Sequence, residues 1–67
     1  MDVPVIVFPL RSGGRRLMVR GEDVGTATSL KEVIEFLRRT GIDDLGETDL
    51  HSPDLIEWRG GGPDVWA

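Results

Sequence analysis

The chain has 67 residues, no cysteine and a formal net charge of −4 at pH 7. This length permits one small domain, and the lack of cysteine excludes disulfides and thiolate zinc sites as sources of stability. We therefore expect a single domain over residues 1–67 that is stabilised by its core, by a docked tail or by a partner chain, with a homodimer or a subunit as the expected assembly. The negative charge argues against generic binding to nucleic acid or to anionic membranes.

The sequence also gives expectations about location and charge distribution. No stretch approaches the roughly 18 consecutive apolar residues of a membrane span, and residues 1–4 lack the basic start of a signal peptide, so we expect a cytoplasmic protein. Residues 1–20 carry four arginines against one acid, whereas residues 41–67 carry seven acids against one arginine. Such a dipolar chain can pair head to tail with itself or present two unlike faces to a partner.

The first predicted element is a β-hairpin. Residues 3–10 form the longest apolar run, rich in β-branched residues, and predict a strand that is buried on both faces. Prolines limit its two-sided pairing to Val5–Phe8, because proline cannot donate to a ladder. The pair Gly13–Gly14 suits a turn, and the alternation over residues 16–20 predicts the second strand. Its expected orientation is Leu17 and Val19 toward the core and Arg16 and Arg20 toward solvent.

A loop at residues 21–25 and an amphipathic helix are predicted next. Ser29 and Glu32 match a capping box, in which the serine accepts from the third helical N–H and the glutamate reaches back. Apolar residues then recur with helical spacing, so we expect a helix over Leu30–Thr40 with one side toward the core. Gly41 suits the left-handed position that ends many helices.

After the helix, the sequence predicts an acidic loop and a third strand. Residues 43–53 are acidic and interrupted by glycine and proline, with one turn of structure around Leu45, and Leu55–Trp58 forms a short strand. Because crossovers through a helix are right-handed, this strand is expected beside the first and parallel to it. The predicted fold is α+β: a hairpin, one helix packed on one face of a small sheet, and a third strand parallel to the first.

No combination of residues indicates catalysis or a resident cofactor. His51, the one histidine, lies near several acids in the sequence, but their order lacks the ligand pattern of a calcium-binding EF-hand loop. The serines and threonines have His51 as their only conventional base and belong to no nucleophile motif. The carboxylates lie on a loop without an apolar pocket that would raise a pKa. We therefore predict a non-catalytic protein with no metal site and no cofactor.

The arginine-rich hairpin is a candidate anion-binding site. Glycine amides and guanidinium groups both favour anions, which suggests contact with nucleic acid or another anion. The segment lacks the sequence ending and the strand-to-helix context of a phosphate-binding loop, and no aromatic residue is interleaved with its arginines. A soluble turn is the simpler alternative. The candidate anion-binding residues are Arg11, Arg15, Arg16 and Arg20.

Residues 60–67 form a glycine-rich C-terminal tail that holds the second of the two tryptophans. Trp58 belongs to the third predicted strand, while Trp66 lies beyond the run Gly60–Gly62. In one alternative, Trp66 folds back onto its own domain. In the other, the glycines let Trp66 reach a partner, because aromatic anchors dominate interface energetics. The candidate partner-binding residues are Trp58, Arg59, Val65 and Trp66.

The order of hairpin, helix and returning parallel strand resembles the core of the ubiquitin-like β-grasp fold. The apolar first strand, the Gly13–Gly14 turn, the helix from Leu30 and the Gly41–Ile42 exit occur in comparable order over residues 3–58. Small sulfur carriers of thiamin and molybdopterin synthesis share this fold, and the resemblance implies a terminal Gly-Gly whose carboxylate is activated. Gly61–Gly62 would match that motif only after removal of the five residues that follow.

These features support three hypotheses about function. The first is a non-catalytic protein-interaction module or subunit, self-associating, that contacts its partner by a strand edge or by the Trp66 tail. The second is a ubiquitin-like or sulfur-carrier protein that requires cleavage after Gly62. The third is a nucleic-acid or anion-binding regulator that uses the arginine-rich hairpin. A protein partner or a second copy is expected first, and a membrane partner is not expected.

Overall fold

The computed structural model describes residues 3–42 and 45–66, except for the side chain of residue 47, so that Asp43 and Asp44 of the predicted acidic loop lie outside the described residues. The described chain has the predicted α+β class. Its elements, in chain order, are β1 (Val5–Val7), β2 (Arg15–Val19), β3 (Glu22–Ala27), α1 (Leu30–Arg39), α2 (Glu47–Leu50) and β4 (Ile56–Trp58).

The strands form one mixed sheet in the order β3-β2-β1-β4. β1 and β2 are antiparallel, with Val5 opposite Val19, which confirms the predicted hairpin. β4 returns beside β1 and runs parallel to it, with Val5 opposite Ile56. The predicted parallel return after the helix is therefore confirmed, and β1 lies inside the sheet with a partner on each side.

The predicted loop over residues 21–25 is wrong, because most of it belongs to β3. Arg20 and Gly21 both have positive φ, 51° and 83°, and this tight turn sends the chain straight back along β2. The register shifts opposite Leu17 and Met18, so β3 contains an irregularity. This bulge and the charged residues at the start of β3 remove the simple alternation by which strands are recognised in a sequence.

The helix α1 confirms the most regular part of the sequence pattern and ends one residue earlier than predicted. The Ser29 hydroxyl accepts from the N–H of Glu32 at 3.3 Å. The Glu32 carboxylate does not return to Ser29; it accepts from the N–H and the hydroxyl of Thr28, at 2.6 and 2.8 Å. At the other end, Gly41 has φ 91°, as expected from the sequence, and the N–H of Ile42 donates to the carbonyl of Leu37, which forms a Schellman motif.

The core lies between α1 and one face of the sheet. Because side chains alternate along a strand, every second residue of β1, β2 and β4 points to this face, which also receives α2 and the C-terminal segment. We call the opposite side of the sheet the helix-free face, since none of the described helices packs on it. The buried cluster comprises Val5, Val7, Leu17, Val19, Ala27, Val33, Leu37, Leu50 and Ile56.

We predict that the contact between Glu32 and Thr28 makes stability dependent on pH. The backbone N–H of Thr28, and then its hydroxyl, lower the pKa of Glu32. A carboxyl with a lowered pKa stabilises the fold above its unfolded pKa, and the contribution disappears as pH falls through the folded pKa. Glu32→Gln should therefore lower the melting temperature by a few degrees at pH 7, and the deficit should vanish under acid conditions.

The control for this experiment is Glu35→Gln, at an exposed position of the same helix. Thermal unfolding followed by circular dichroism at several pH values measures both variants. A deficit for Glu32→Gln that is the same at every pH, or that Glu35→Gln reproduces, contradicts the prediction.

Candidate functional site

Arg15 is a fully buried cationic side chain, with 0 % of its surface exposed. It begins β2 and alternates with Leu17 and Val19, so its side chain points to the core face of the sheet. Charged side chains are rarely buried without partners, because desolvation of an unpaired ion carries a large free-energy penalty. The position therefore requires a complete set of acceptors around the guanidinium.

The guanidinium of this arginine donates to five backbone carbonyls, one for each of its N–H groups. Nε donates to the oxygen of Phe8 at 2.8 Å. Nη1 donates to Gly62 at 2.7 Å and to Val65 at 3.2 Å. Nη2 donates to Arg59 at 2.9 Å and to Gly61 at 2.8 Å. One side chain thus joins the end of β1 to the segment that follows β4.

Two indole rings pack against the same guanidinium. The Cζ atom of Arg15 lies 5.3 Å from the ring centroid of Trp58 and 5.5 Å from that of Trp66, within cation–π range. The indole N–H of Trp58 donates to Leu50 at 2.9 Å, and that of Trp66 donates to Pro63 at 2.6 Å. Both rings therefore pack on the cation with their polar atoms bonded. We call Arg15, its five carbonyl acceptors and these two rings the arginine cage.

Gly60 and Gly61 turn the tail back toward the cage. Their φ angles are 75° and 130°, in the region that favours glycine. A Cβ atom on Gly60 would lie 2.7 Å from Cβ of Pro9, and one on Gly61 would lie 2.9 Å from Cγ2 of Val65. Backbone conformation and space therefore both require glycine here. The glycine run forms a packed reversal of the chain.

Carbonyl dipoles and aromatic faces, rather than a carboxylate, surround the charge of Arg15. Desolvation by burial lowers the pKa of Arg15 from its ordinary value. The guanidinium still carries its charge at neutral pH, since arginine is a strong enough base to stay protonated in proteins. The same hydrogen bonds also stabilise the docked tail, because each tail carbonyl that is removed from water needs a hydrogen-bond donor.

The predicted partner-binding residues occupy two different settings. Val65 and Trp66 are half-buried on their own domain, with the Val65 carbonyl and the Trp66 ring in the cage. Trp58 is half-buried at the end of β4. Arg59 is exposed, and its side chain reaches the helix-free face, where Cζ lies 5.2 Å from the ring centroid of Phe8. Trp66 is thus docked on its own domain, which is the first of the two alternatives for the tail.

The four hairpin arginines also occupy two settings, since one is in the core and three are exposed. Arg15 has donated all its N–H groups within the cage and has none left for an anion, because alternation along β2 turns it to the core. Its predicted place in an exposed anion site is therefore corrected. The other three arginines are exposed and lie on or beside the helix-free face: Arg11, Arg16 and Arg20.

The helix-free face has an apolar centre with charged side chains around it. Ile6 lies opposite Met18 in the ladder, and both are partly buried, as is Phe8. Arg16 pairs with Asp23 on this face at 3.4 Å. A second ion pair joins Glu57, in the middle of β4, to Arg59, which directly follows this strand. The face therefore combines apolar side chains with arginines, two of which are paired with acids.

Two shallow grooves lie on this face, one toward each end of β1. We call the first the Phe8 groove, with a volume of about 750 Å³, and the second the Ile6 groove, with a volume of about 590 Å³. Each has an apolar floor and two arginines. The Phe8 groove is lined by Phe8, Pro9, Arg11, Gly14, Arg16, Met18, Asp23 and Thr26. The Ile6 groove is lined by Val3, Pro4, Ile6, Arg20, Gly21, Glu57 and Arg59.

The acidic segment between α1 and β4 gives no comparable site in its described part. His51 is exposed and follows α2. Within residues 3–42 and 45–66, apart from the side chain of residue 47, no group of three or more histidine, cysteine or acidic side chains is placed to hold a metal ion. The same ranges contain no helix with the length and apolar content needed to cross a bilayer.

The chain was also compared with known proteins. No protein-family model, no curated protein and no solved structure matches it. The sequence analysis predicts neither the cage nor the helix-free face, although the sequence contains one signal for the cage. Extending the alternation of Leu17 and Val19 back by two residues puts Arg15 on the core side.

We predict that the tail stabilises the domain from within. Trp66→Ala removes one wall of the cage and should lower the free energy of unfolding by about 2 kcal/mol, since the ring is half-buried and faces a cation. Because the contact is intramolecular, the loss should not depend on protein concentration. Urea denaturation at several protein concentrations measures it, with Asp64→Ala in the same tail as the control. A loss that disappears at high concentration would show that Trp66 acts between chains.

Arg15→Ala should be more damaging, because all five carbonyls lose a donor and only that of Gly62 keeps another, the N–H of Val65. We expect a loss of about 3–5 kcal/mol, a large share of the stability of a domain this small. The missing atoms correspond to N-ethylguanidinium. Millimolar N-ethylguanidinium should therefore raise the melting temperature of Arg15→Ala and leave that of Arg16→Ala unchanged. Equal effects on both variants, or an equal effect of ethylammonium, contradict a cage specific for guanidinium.

Proposed function

We propose that the protein is a non-catalytic protein-interaction module that contacts its partner through the helix-free face. The observation that carries this proposal is the apolar centre of that face, where Ile6, Phe8 and Met18 remain only partly buried. When a sheet has apolar side chains on a face, another layer of structure normally packs on that face and buries them. In the described chain, the helices and the tail all pack on the other side.

The strand edges are less suited to such a contact than the face. β4 has three residues, so it offers a short ladder at most. β3 is longer, but its pairing with β2 is irregular, and it begins with Glu22 and Asp23. Bulges and charges are devices that keep edge strands from pairing with other chains. Strand addition, which the sequence suggested as one contact mode, is therefore less favoured than docking on the face.

The tail is also less suited to a partner than the sequence suggested. A partner that captured Trp66 would have to replace its contact with Arg15 and expose carbonyls that this arginine now satisfies. The same contacts hold Gly61 and Gly62, which the carrier hypothesis needs at a free chain end. The helix-free face requires no such rearrangement.

The chemistry of the face supports binding rather than catalysis. Its cations are arginines, which stay protonated and serve poorly as general acids or bases. Its grooves are open and shallow, so they do not withdraw a substrate from water. A cytoplasmic location belongs to the same proposal.

Anion or nucleic-acid binding is a second candidate, favoured by one observation. The fold brings an aromatic ring among the arginines, since Phe8 lies beside Arg59 and shares a groove with Arg16. Stacking on an aromatic ring next to cations is typical of single-strand binding. However, ion pairs with Asp23 and Glu57 leave only Arg11 and Arg20 of the face unpaired within the described residues, and the apolar side chains of Ile6 and Met18 offer nothing to a phosphate backbone. The protein-interaction module is therefore the better supported function.

Site-specific photo-crosslinking tests the proposed function. Benzoylphenylalanine in place of Met18 puts the reactive group on the helix-free face, and the same residue in place of Glu35 puts it on the exposed side of α1. In native host cells, we expect one dominant protein adduct from position 18 that is lost when Arg16→Glu is added. No adduct at position 18, or the same adducts from both positions, contradicts the proposal.

A further inference from the structure

We infer that the ligand of the helix-free face is an acidic amphipathic helix of a partner protein. This inference rests on the proposed function and specifies the chemistry of its partner. It follows from three properties of the face: the sign of its charge, the spacing of its grooves and its lack of available backbone hydrogen-bonding groups.

The charge of the face is opposite to that of the whole chain. The chain has a net charge of −4, but the two grooves together contain four arginines and two acids. Arg11 and Arg20 stand at opposite ends without an ion pair in the described residues, whereas Arg16 and Arg59 each have an acidic neighbour. An acidic ligand is therefore attracted, and a basic one is repelled.

The same charge disfavours a symmetric dimer through this face. A twofold interface brings each surface against its own copy, so the arginines of one chain would approach those of the other. Like charges placed opposite each other weaken an interface by several kcal/mol. The apolar centre thus needs a cover whose charges differ from its own.

The grooves are spaced for two apolar side chains of one helix. Pro4 lines the Ile6 groove and Phe8 lines the Phe8 groove, and these two residues are four positions apart along an extended chain. At about 3.3 Å per residue, this separation is about 13 Å. An α-helix rises 1.5 Å per residue, so apolar residues at i and i+8, about 2.2 turns apart on one apolar stripe, are separated by about 12 Å along the helix axis. Acidic residues beside these anchors would then meet the arginines of each groove.

Backbone hydrogen bonding favours a helix over an extended segment. The N–H and C=O groups of β1 and β2 are directed along the sheet, toward neighbouring strands, rather than out of its face. An extended peptide lying on the face would gain no backbone partners there. A helix satisfies its own backbone and needs only side-chain contacts, as in other complexes where a helix occupies an apolar surface.

The test uses nuclear magnetic resonance titration of the full-length protein with synthetic helices of about 20 residues. The first peptide carries glutamates and two leucines at i and i+8. In matched controls, lysines replace the glutamates, or alanines replace the two leucines. We expect the first peptide to shift the amide signals of Ile6 and Met18 and to leave the indole signal of Trp66 in place. Each control should bind at least about tenfold more weakly.

Protein variants locate the contact. Arg20→Glu on the face should weaken binding at least about tenfold, while Arg38→Glu on the exposed side of α1 should leave it within about twofold. Both positions are exposed, so the fold should persist, and the indole signal of Trp66 reports this. Equal loss in the two variants, or equal binding of the glutamate and lysine peptides, overturns the inference.

Other ligands of the face are also distinguishable. Preferential binding of a single-stranded oligonucleotide, or a concentration-dependent dimer that shifts Ile6 and Met18 without peptide, overturns the acidic helix. If no peptide binds but the adduct at position 18 persists, the partner has another chemistry and the proposed function stands. If both the peptide and the adduct fail, the proposed function fails as well.

Discussion

The buried guanidinium of Arg15 is the interaction on which the rest of the structure depends. It links the end of β1, the start of β2 and the segment after β4 through carbonyls that no regular ladder pairs. A chain of 67 residues without cysteine has few other means of fixing an irregular terminal segment. The planar guanidinium of Arg15 fixes this segment by donating to each of its five carbonyl acceptors, and the rings of Trp58 and Trp66 pack against the guanidinium.

The cage also determines which surface of the protein remains available. With the tail docked on the core side, the described helices and the large aromatic rings of Trp58 and Trp66 lie on one side of the sheet. The other side keeps Ile6 and Met18 only partly buried, with charged side chains around them. The C-terminal segment therefore completes the core on one side of the sheet. Because it packs there, the apolar strip on the other side stays uncovered.

The parts of this fold that the sequence predicted are those governed by local rules. Ser29 and Gly41 delimit α1 by capping geometry, and the apolar run around Val5 identifies a strand inside the sheet. The parts it did not predict depend on distant contacts. β3 lacks alternation because it is an irregular edge strand whose Gly25 lies under the ring of Phe36. The docking of Trp66 required the knowledge that an arginine far away in the sequence is turned inward.

The candidate surface shows why net charge is a poor guide to partners in a folded chain. The overall value of −4 suggests a protein that avoids acidic ligands. Folding, however, brings Arg59 from the acidic end of the sequence beside Phe8 on the same face as Arg16 and removes Arg15 from the surface. Charge interactions at a surface act over about 8–10 Å in physiological salt, so a partner that docks here responds to this face rather than to the whole chain. An acidic protein can therefore present a local site for an acidic helix where arginines outnumber carboxylates: the grooves hold four arginines against Asp23 and Glu57, while Asp49 and Asp54 lie outside the groove linings.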